Sequence, residues 1–218
     1  MPNVNVGGAP KVYIVGGGGG GYSQMFKNAG WEEVGNLLDA DMVQFTGGED
    51  VSPWLYGEEN HRTTGNSARR DFEEAGYFAI AQRLGKPMSG ICRGGQFLNV
   101  MSGGKMYQHV GKHAVGGTHK LTDTTTGKVI NVSSTHHQMM RAGDDGHILA
   151  TADLGGFKQY MAGGNVAEGP EHEPDTEVVV YATTKCLCFQ PHPELFRADH
   201  ECFKYYFDTI KFVFGLHT

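Results

Sequence analysis

The pentapeptide Gly90-Ile91-Cys92-Arg93-Gly94 sets a single thiol between small residues, after the apolar run Met88 to Ile91 and before an amphipathic stretch. A nucleophile in such a small-x-nucleophile-x-small setting sits on a tight strand-to-helix elbow, where glycines let the neighbouring backbone approach closely. The elbow exposes Sγ at the carboxyl edge of a sheet and at the positive end of the following helix, which favours thiolate over thiol. The next amide, Arg93 N–H, is positioned to hold a developing oxyanion. A buried cysteine in a glycine-rich turn would read the same way, so the reading needs a base.

The chain holds 11 histidines, too many for a count to decide anything. Gln190-Pro191-His192-Pro193-Glu194 is more informative. Its prolines bias Gln190 and His192 towards extended backbone and exclude an ordinary helix. Residues i and i+2 of an extended chain face the same way, so Glu194 is expected to bond the His192 ring, fix its tautomer and stabilise the imidazolium. Two other features invite chemistry. Gly16-x-Gly18-x-x-Gly21 follows an apolar run as a dinucleotide-binding turn would, but six consecutive glycines fit any glycine template. Asp39, the candidate ribose acid, precedes the next strand where the pattern wants it at a strand's end, so a loop near the active-site edge is the better reading. His109, His113, His119, His136 and His137 suggest a metal. Gly111 argues against a helix carrying the first two, and no acidic or cysteine ligand set accompanies them. The expectation is ordinary polar histidines, some lining a pocket, with no metal and no cofactor.

These residues need elements to hold them. Lys11 to Val15 and Asp41 to Thr46 read as buried strands, with a short helix from Tyr22 towards Ala29. Ser67 to Leu84 reads as a helix capped by Ser67, with Phe72, Ala75, Ala79, Ile80 and Leu84 on its apolar face. Met88 to Ile91 is the strand before the elbow, and the helix after it carries Phe97, Leu98 and Met101. The second half is strand-rich: Val129 to Ser133, His147 to Ala152, Phe157 to Met161, Glu177 to Ala182 and Cys186 to Gln190. Gly163 to Thr176 reads as a loop, and Phe203, Tyr206, Phe207, Ile210 and Phe214 stripe a closing helix. Strands alternating with helices imply an α/β fold, with a mostly parallel central sheet covered by helices on both faces. No linker divides residues 1–218, so a single domain is expected.

Composition narrows the class. Net charge is −6 with scattered Lys and Arg, against nucleic acid or an anionic membrane as a partner. No apolar run reaches the ~20 residues a membrane span requires. Met1 to Pro10 lacks a basic start with an apolar follower, so no secretory signal is expected. Cys186 and Cys188 flank one residue of a strand and are expected as buried thiols, and no CxxC pair occurs. A reduced, cytoplasmic protein is the simplest reading.

Taken together, Cys92 within GICRGGQ, the distant QPHPE and the earlier FTGGED resemble the class I glutamine amidotransferase-like superfamily. Within it the chain is most similar to γ-glutamyl hydrolase and γ-glutamyl-γ-aminobutyrate hydrolase-like cysteine peptidases. Further pieces in the family's order are Pro53, Tyr56-Gly57-Glu58, Arg70-Asp71 with Glu74, Gly90 to His109 and SSTHHQ from Ser133 to Gln138, covering most of the chain from Thr46 to Glu194. The resemblance implies a flavodoxin-like fold and a Cys92, His192, Glu194 triad. It implies that Gly48 and Arg93 supply the oxyanion amides and that Gln96 meets the γ-glutamyl group. Thr135, His136 and His137 would line the pocket over the α-amino and α-carboxylate groups. Three departures stand out. Gly95 replaces a bulkier residue and is expected to widen the pocket, Ser133 replaces a common asparagine, and Ala152 to Thr176 matches nothing. The implied activity is cleavage of a γ-glutamyl amide, in a γ-glutamyl amine or in glutamine, through a thioester. The rival is a glutaminase subunit passing ammonia to a separate synthetase or ligase. A non-catalytic binding module on this fold would normally have lost a triad member, and a homodimer stays open.

Overall fold

The computed structural model describes residues 8–170 and 172–217. Residues 1–7, on which much of the N-terminal signal reading rests, lie outside the described residues, as does Glu171 within the stretch read as a loop. Nine strands form the main sheet. In chain order they are β1 (Lys11–Ile14), β2 (Glu32–Glu33), β3 (Met42–Phe45), β4 (Met88–Ile91), β5 (Thr118–Asp123), β6 (Val129–Ser133), β7 (Gly146–Ala152), β8 (Asp175–Tyr181) and β9 (Cys186–Phe189). Their spatial order is β2-β1-β3-β4-β9-β8-β7-β5-β6.

From β2 to β9 every pairing is parallel, and from β9 to β6 every pairing is antiparallel. The α/β expectation holds, with a mixed sheet whose parallel half carries Cys92. β3, β4 and β9 are buried at every residue, as central strands covered on both faces must be. Helices α1 (Tyr22–Asn28) and α4 (Glu201–Phe214) cover one face, where Phe26, Tyr206, Ile210 and Phe189 share a core. Helices α2 (Ala68–Arg83) and α3 (Arg93–Met101) cover the other, around Phe45, Phe97 and Phe78. Each such large side chain contributes roughly 1.5–3 kcal/mol when fully buried.

Helix α2 turns the face opposite to the one expected. Ser67 does cap it, accepting from Arg70 N–H, but Phe72 is 80% exposed and Ile80 and Leu84 also lie in the open. The buried face is Asp71, Glu74, Phe78 and Ala81. Its two acids meet the buried Arg93, so an ion cluster, not an apolar stripe, orients the helix. The stretch read as a loop holds a strand, Asn165–Glu168, paired antiparallel with Lys158–Ala162. The four cysteines are free and buried. Burial pushes the Cys186 thiol up to about 11. No helix among the described residues is long and apolar enough to cross a membrane.

Candidate active site

Cys92 joins β4 to α3 with φ 50° and ψ −113°, a left-handed backbone that a non-glycine residue adopts only under constraint. Its amide donates to Phe189 O of β9 at 2.8 Å, and its carbonyl accepts the first helical bond from Gln96 N–H at 2.9 Å. The glycines around it are there for space. A Cβ on Gly90 would stand 2.3 Å from Gly94 C and O, and one on Gly94 would stand 2.4 Å from Phe45 O. Gly95 corrects an expectation. Its missing side chain points at the β9 backbone, 2.8 Å from Phe189 N, so it lets α3 pack on the sheet and does not widen a pocket.

His192 reaches the same place from the end of β9. A Cβ on Gly47 would be 3.0 Å from His192 Cε1 and 3.6 Å from Cys92 Cβ, which measures how closely the two side chains gather. His192 Nδ1 lies 2.5 Å from Glu194 Oε1. The contact is made across a short 3-10 turn, Pro193–Leu195, and not along an extended strand, so the expected pairing holds by a different geometry. The His192 amide donates to Ser133 Oγ at 2.7 Å, giving the residue that departs from the family pattern a positioning role. Burial disfavours the imidazolium, but the neighbouring Cys92 and the hydrogen-bonded Glu194 carboxylate outweigh it and raise His192 to about 10.

Gly48 takes φ +145° and lines, with Cys92, Gln96, Thr135, His136 and His137, a cleft of about 260 Å³. Arg93 N–H is the first amide of α3, where the leading amides have no intrahelical acceptor. The Arg93 side chain points away from the cleft into the core, where it pairs with Asp71 and Glu74. Arg70 extends that cluster to the Gly48 loop. Its guanidinium bonds Glu74 and Glu49 and donates to the Thr46 and Gly47 carbonyls. Gln96 Nε2 donates to Gln190 Oε1 at 3.1 Å, which orients it at the cleft wall.

His137 Nε2 pairs with Asp50 Oδ1 at 3.0 Å, and that bond outweighs burial to raise its pKa. His136 borders the cleft, but its ring nitrogens are committed elsewhere, to Gln138 O at 2.9 Å and to His113 at 3.2 Å. Its part in substrate contact is therefore smaller than the sequence implied. His109 stacks on His61, with the His137 ring 6.5 Å away. Tyr22 was not anticipated: Gly47 N–H donates to its hydroxyl at 2.8 Å beside His192. Only its place just after the glycine run could have hinted at this. That run does reach the site edge, since a Cβ on Gly21 would lie 3.4 Å from Glu194 O. Gln190 and Asp50 stood inside recognised motifs without assigned roles.

The sequence profile of the peptidase C26 family matches residues 20–157. A Mycobacterium tuberculosis protein named as a candidate glutamine amidotransferase is 32% identical over 194 residues, covering 79% of this chain and 57% of that protein. A Lactococcus lactis protein named as glutamine amidotransferase-like is 46% identical over 79 residues, which is 35% of this chain and 42% of its own. The chain thus spans about half the length of these two curated relatives. Among solved structures, a Thermoplasma acidophilum protein named as a candidate GMP synthase component gives a TM-score of 0.62 at 16% identity over 94% of each chain. PurLQS from Thermotoga maritima gives 0.61 at 16% identity, over 93% of this chain and 97% of that one. Identities this low show the fold, and the fold is that of class I glutamine amidotransferases. With its profile match running from the glycine loop through the elbow and the SSTHHQ segment, the chain belongs to the peptidase C26 family, which is class I glutamine amidotransferase-like.

Proposed function

We propose that the protein is a cysteine-dependent hydrolase that cleaves a γ-glutamyl amide through a γ-glutamyl thioester, with Cys92, His192 and Glu194 as its triad. The observation that carries this reading is a strained thiol at a helix N-terminus beside a histidine that is raised to about 10 and braced by a carboxylate. In the first step the Cys92 thiolate adds to the γ-carbonyl and the Gly48 and Arg93 amides hold the oxyanion. The C–N bond then breaks and the His192 imidazolium protonates the departing amine. In the second step His192 takes a proton from water, the hydroxide adds to the thioester, and glutamate leaves as the thiolate re-forms. Gln96, Thr135 and His137 grip the glutamyl end, with His136 in a lesser part. The reaction draws on no cofactor, a cytoplasmic site suits the thiols, and residues 1–218 act as one domain.

A second reading is a glutaminase subunit that hands ammonia to a synthetase or ligase. Two observations favour it: the likeness to a structure named as part of a synthase, and Leu195, 61% exposed right after Glu194, where a partner could cover it. The test is product release from glutamine and from a panel of γ-glutamyl amines, supplied separately, with Cys92→Ala as control. Cys92-dependent cleavage of one γ-glutamyl amine but not of glutamine supports the hydrolase. Labelling of Cys92 by an electrophilic glutamine analogue with no turnover of any amide supports the subunit. Turnover that survives Cys92→Ala sinks both.

A further inference from the structure

Behind the cleft wall, outside the proposed triad, four side chains from four segments of the fold turn their ligating atoms inward. His113 comes from the segment before β5, His119 from β5, His136 from the segment after β6 and Glu177 from β8. All four are buried. His113 Nδ1 is 3.2 Å from both His136 Nε2 and Glu177 Oε1. Glu177 Oε1 is 3.1 Å from His119 Nε2 and 3.4 Å from His136 Nε2. Four ligands about 2.0–2.1 Å from a tetrahedral zinc ion stand roughly 3.3 Å apart, the spacing of these contacts.

The outer partners say which way the rings face. His113 Nε2 is 3.0 Å from Asp175 Oδ2, and His136 Nδ1 is 2.9 Å from Gln138 O. Both partners can only accept, so those nitrogens carry the ring protons and donate. With both rings neutral, His113 Nδ1 and His136 Nε2 are then bare lone pairs, aimed at each other and at a carboxylate. Three acceptors converging in a dry pocket repel unless a cation stands among them. A carboxylate or backbone carbonyl on the far nitrogen is also the arrangement that orients metal-bound histidines. Glu177 Oε2 has no hydrogen-bond partner although buried, so hydrogen bonding alone leaves that carboxylate incomplete.

We propose that His113, His119, His136 and Glu177 form a structural site for one divalent cation, zinc by its tetrahedral N₃O set. All four positions are filled by protein, which is the mark of a structural and not a catalytic metal. The ion ties β5 and β8 to the Thr135–Gln138 segment that walls the cleft. It also braces the base, because Gln190 N–H, two residues before His192, donates to Glu177 O at 2.8 Å. The alternative that relieves the same repulsion is a proton shared within the cluster.

The test uses the full chain carrying no metal-affinity tag. Elemental analysis after dialysis against a weak chelator, and zinc titration of chelator-stripped protein against a chromophoric competitor, should both give one zinc per chain. Cys92→Ala should keep it. His119→Gln and Glu177→Gln should lose it, and Asp175→Asn should weaken it by about 10–100-fold, as loss of an outer partner does. Cobalt substituted into unaltered protein should give tetrahedral visible bands with no thiolate charge-transfer band, a readout that needs no variant to fold. Absence of stoichiometric zinc from the unaltered protein in both experiments would overturn the site. So would zinc that persists in His119→Gln, or that disappears with Cys92→Ala. None of these readouts uses amide hydrolysis, so they stand or fall apart from the proposed activity.

Discussion

Replacing Arg93 by methionine isolates the ion cluster that orients α2 beneath the elbow. The Arg93 side chain is 1% exposed, with Nη2 2.5 Å from Asp71 Oδ1 and Nη1 bonded to Glu74. Glu74 keeps a second cation, Arg70 at 2.8 Å, when Arg93 is removed. Asp71, fully buried, keeps among the described residues only the Ser52 amide at 3.2 Å. Methionine refills most of the volume, so the penalty is that of one orphaned carboxylate. Removing one partner from a buried pair typically costs about 3–5 kcal/mol. A ceiling comes from protonation: neutralising a carboxylate of ordinary unfolded pKa ~3.9 costs about 4 kcal/mol at pH 7 and about 1.5 kcal/mol at pH 5. An uncompensated buried carboxylate costs stability only while it is ionised, so the penalty is absent below the unfolded value and grows as pH rises. Urea unfolding of both proteins at pH 5 and pH 7 should therefore show Arg93→Met less stable by ~3–4 kcal/mol at pH 7 and by under ~2 kcal/mol at pH 5. Adding Asp71→Asn should restore most of the loss at pH 7. A pH-independent penalty, or no rescue by Asp71→Asn, would refute the reasoning. The rescued protein should also turn over substrate, because the proposed oxyanion donor is the backbone amide. A folded double variant without activity would mean that the side chain acts on the chemistry.

Four other outcomes follow from the site. Gly48→Ala places a Cβ 2.2 Å from Arg70 Nη1 at φ +145°, so it should displace the loop. Its kcat should fall by about 10²–10³ with the protein still folded by circular dichroism, the loss expected for one oxyanion donor. Since His192 is raised to about 10, kcat/KM should hold through neutral pH and fall on an alkaline limb near that value, not near 6.5. Cys92→Ala removes the largest cause that raises His192, so the His192 proton resonances should titrate well below 10 in that variant. Gly94→Ala, with a Cβ 2.4 Å from Phe45 O, should destabilise by at least ~1–3 kcal/mol in thermal unfolding.

The elbow and the turn that carries His192 were legible because backbone chemistry leaves marks in short windows. Only glycine fits at positions 90 and 94, and prolines on both sides of His192 forbid a helix. Pairings that close over long separations left no such mark. Periodicity put Phe72 and Ile80 on the inner face of α2, but a buried arginine 22 residues beyond Asp71 decided the matter. β5 was missed for a related reason. Thr118 to Asp123 alternates exposed and buried, yet two of its three inward residues, His119 and Asp123, are polar and hide the apolar alternation. Glu177 was read as one more strand residue, although an acid inside DTEVVVY signals a buried partner. Its partners lie at 113, 119 and 136, and no window of sequence holds them together.

The two halves of the sheet divide the labour of the site. Cys92 and the Gly48 loop stand on the parallel half, where βα turns aim helix N-termini at the carboxyl edge. His192, the proposed base, is hung from the antiparallel half, through Ser133 Oγ on its amide and Glu177 O on the Gln190 amide. The seam between them is the β4–β9 pairing, and Cys92 N–H on Phe189 O is its last bond. Nucleophile and base therefore keep their distance only as well as the antiparallel strands keep theirs. Those strands hold a histidine and carboxylate cluster at the level of the cleft, where an apolar core would have served packing alone. Cross-linking β5, β8 and the cleft wall at that level fixes the height of Gln190, and so of His192, relative to the elbow. Variants that loosen the cluster should thus lower kcat more than they raise KM, since they displace the base while leaving Gln96 and His137 to hold substrate.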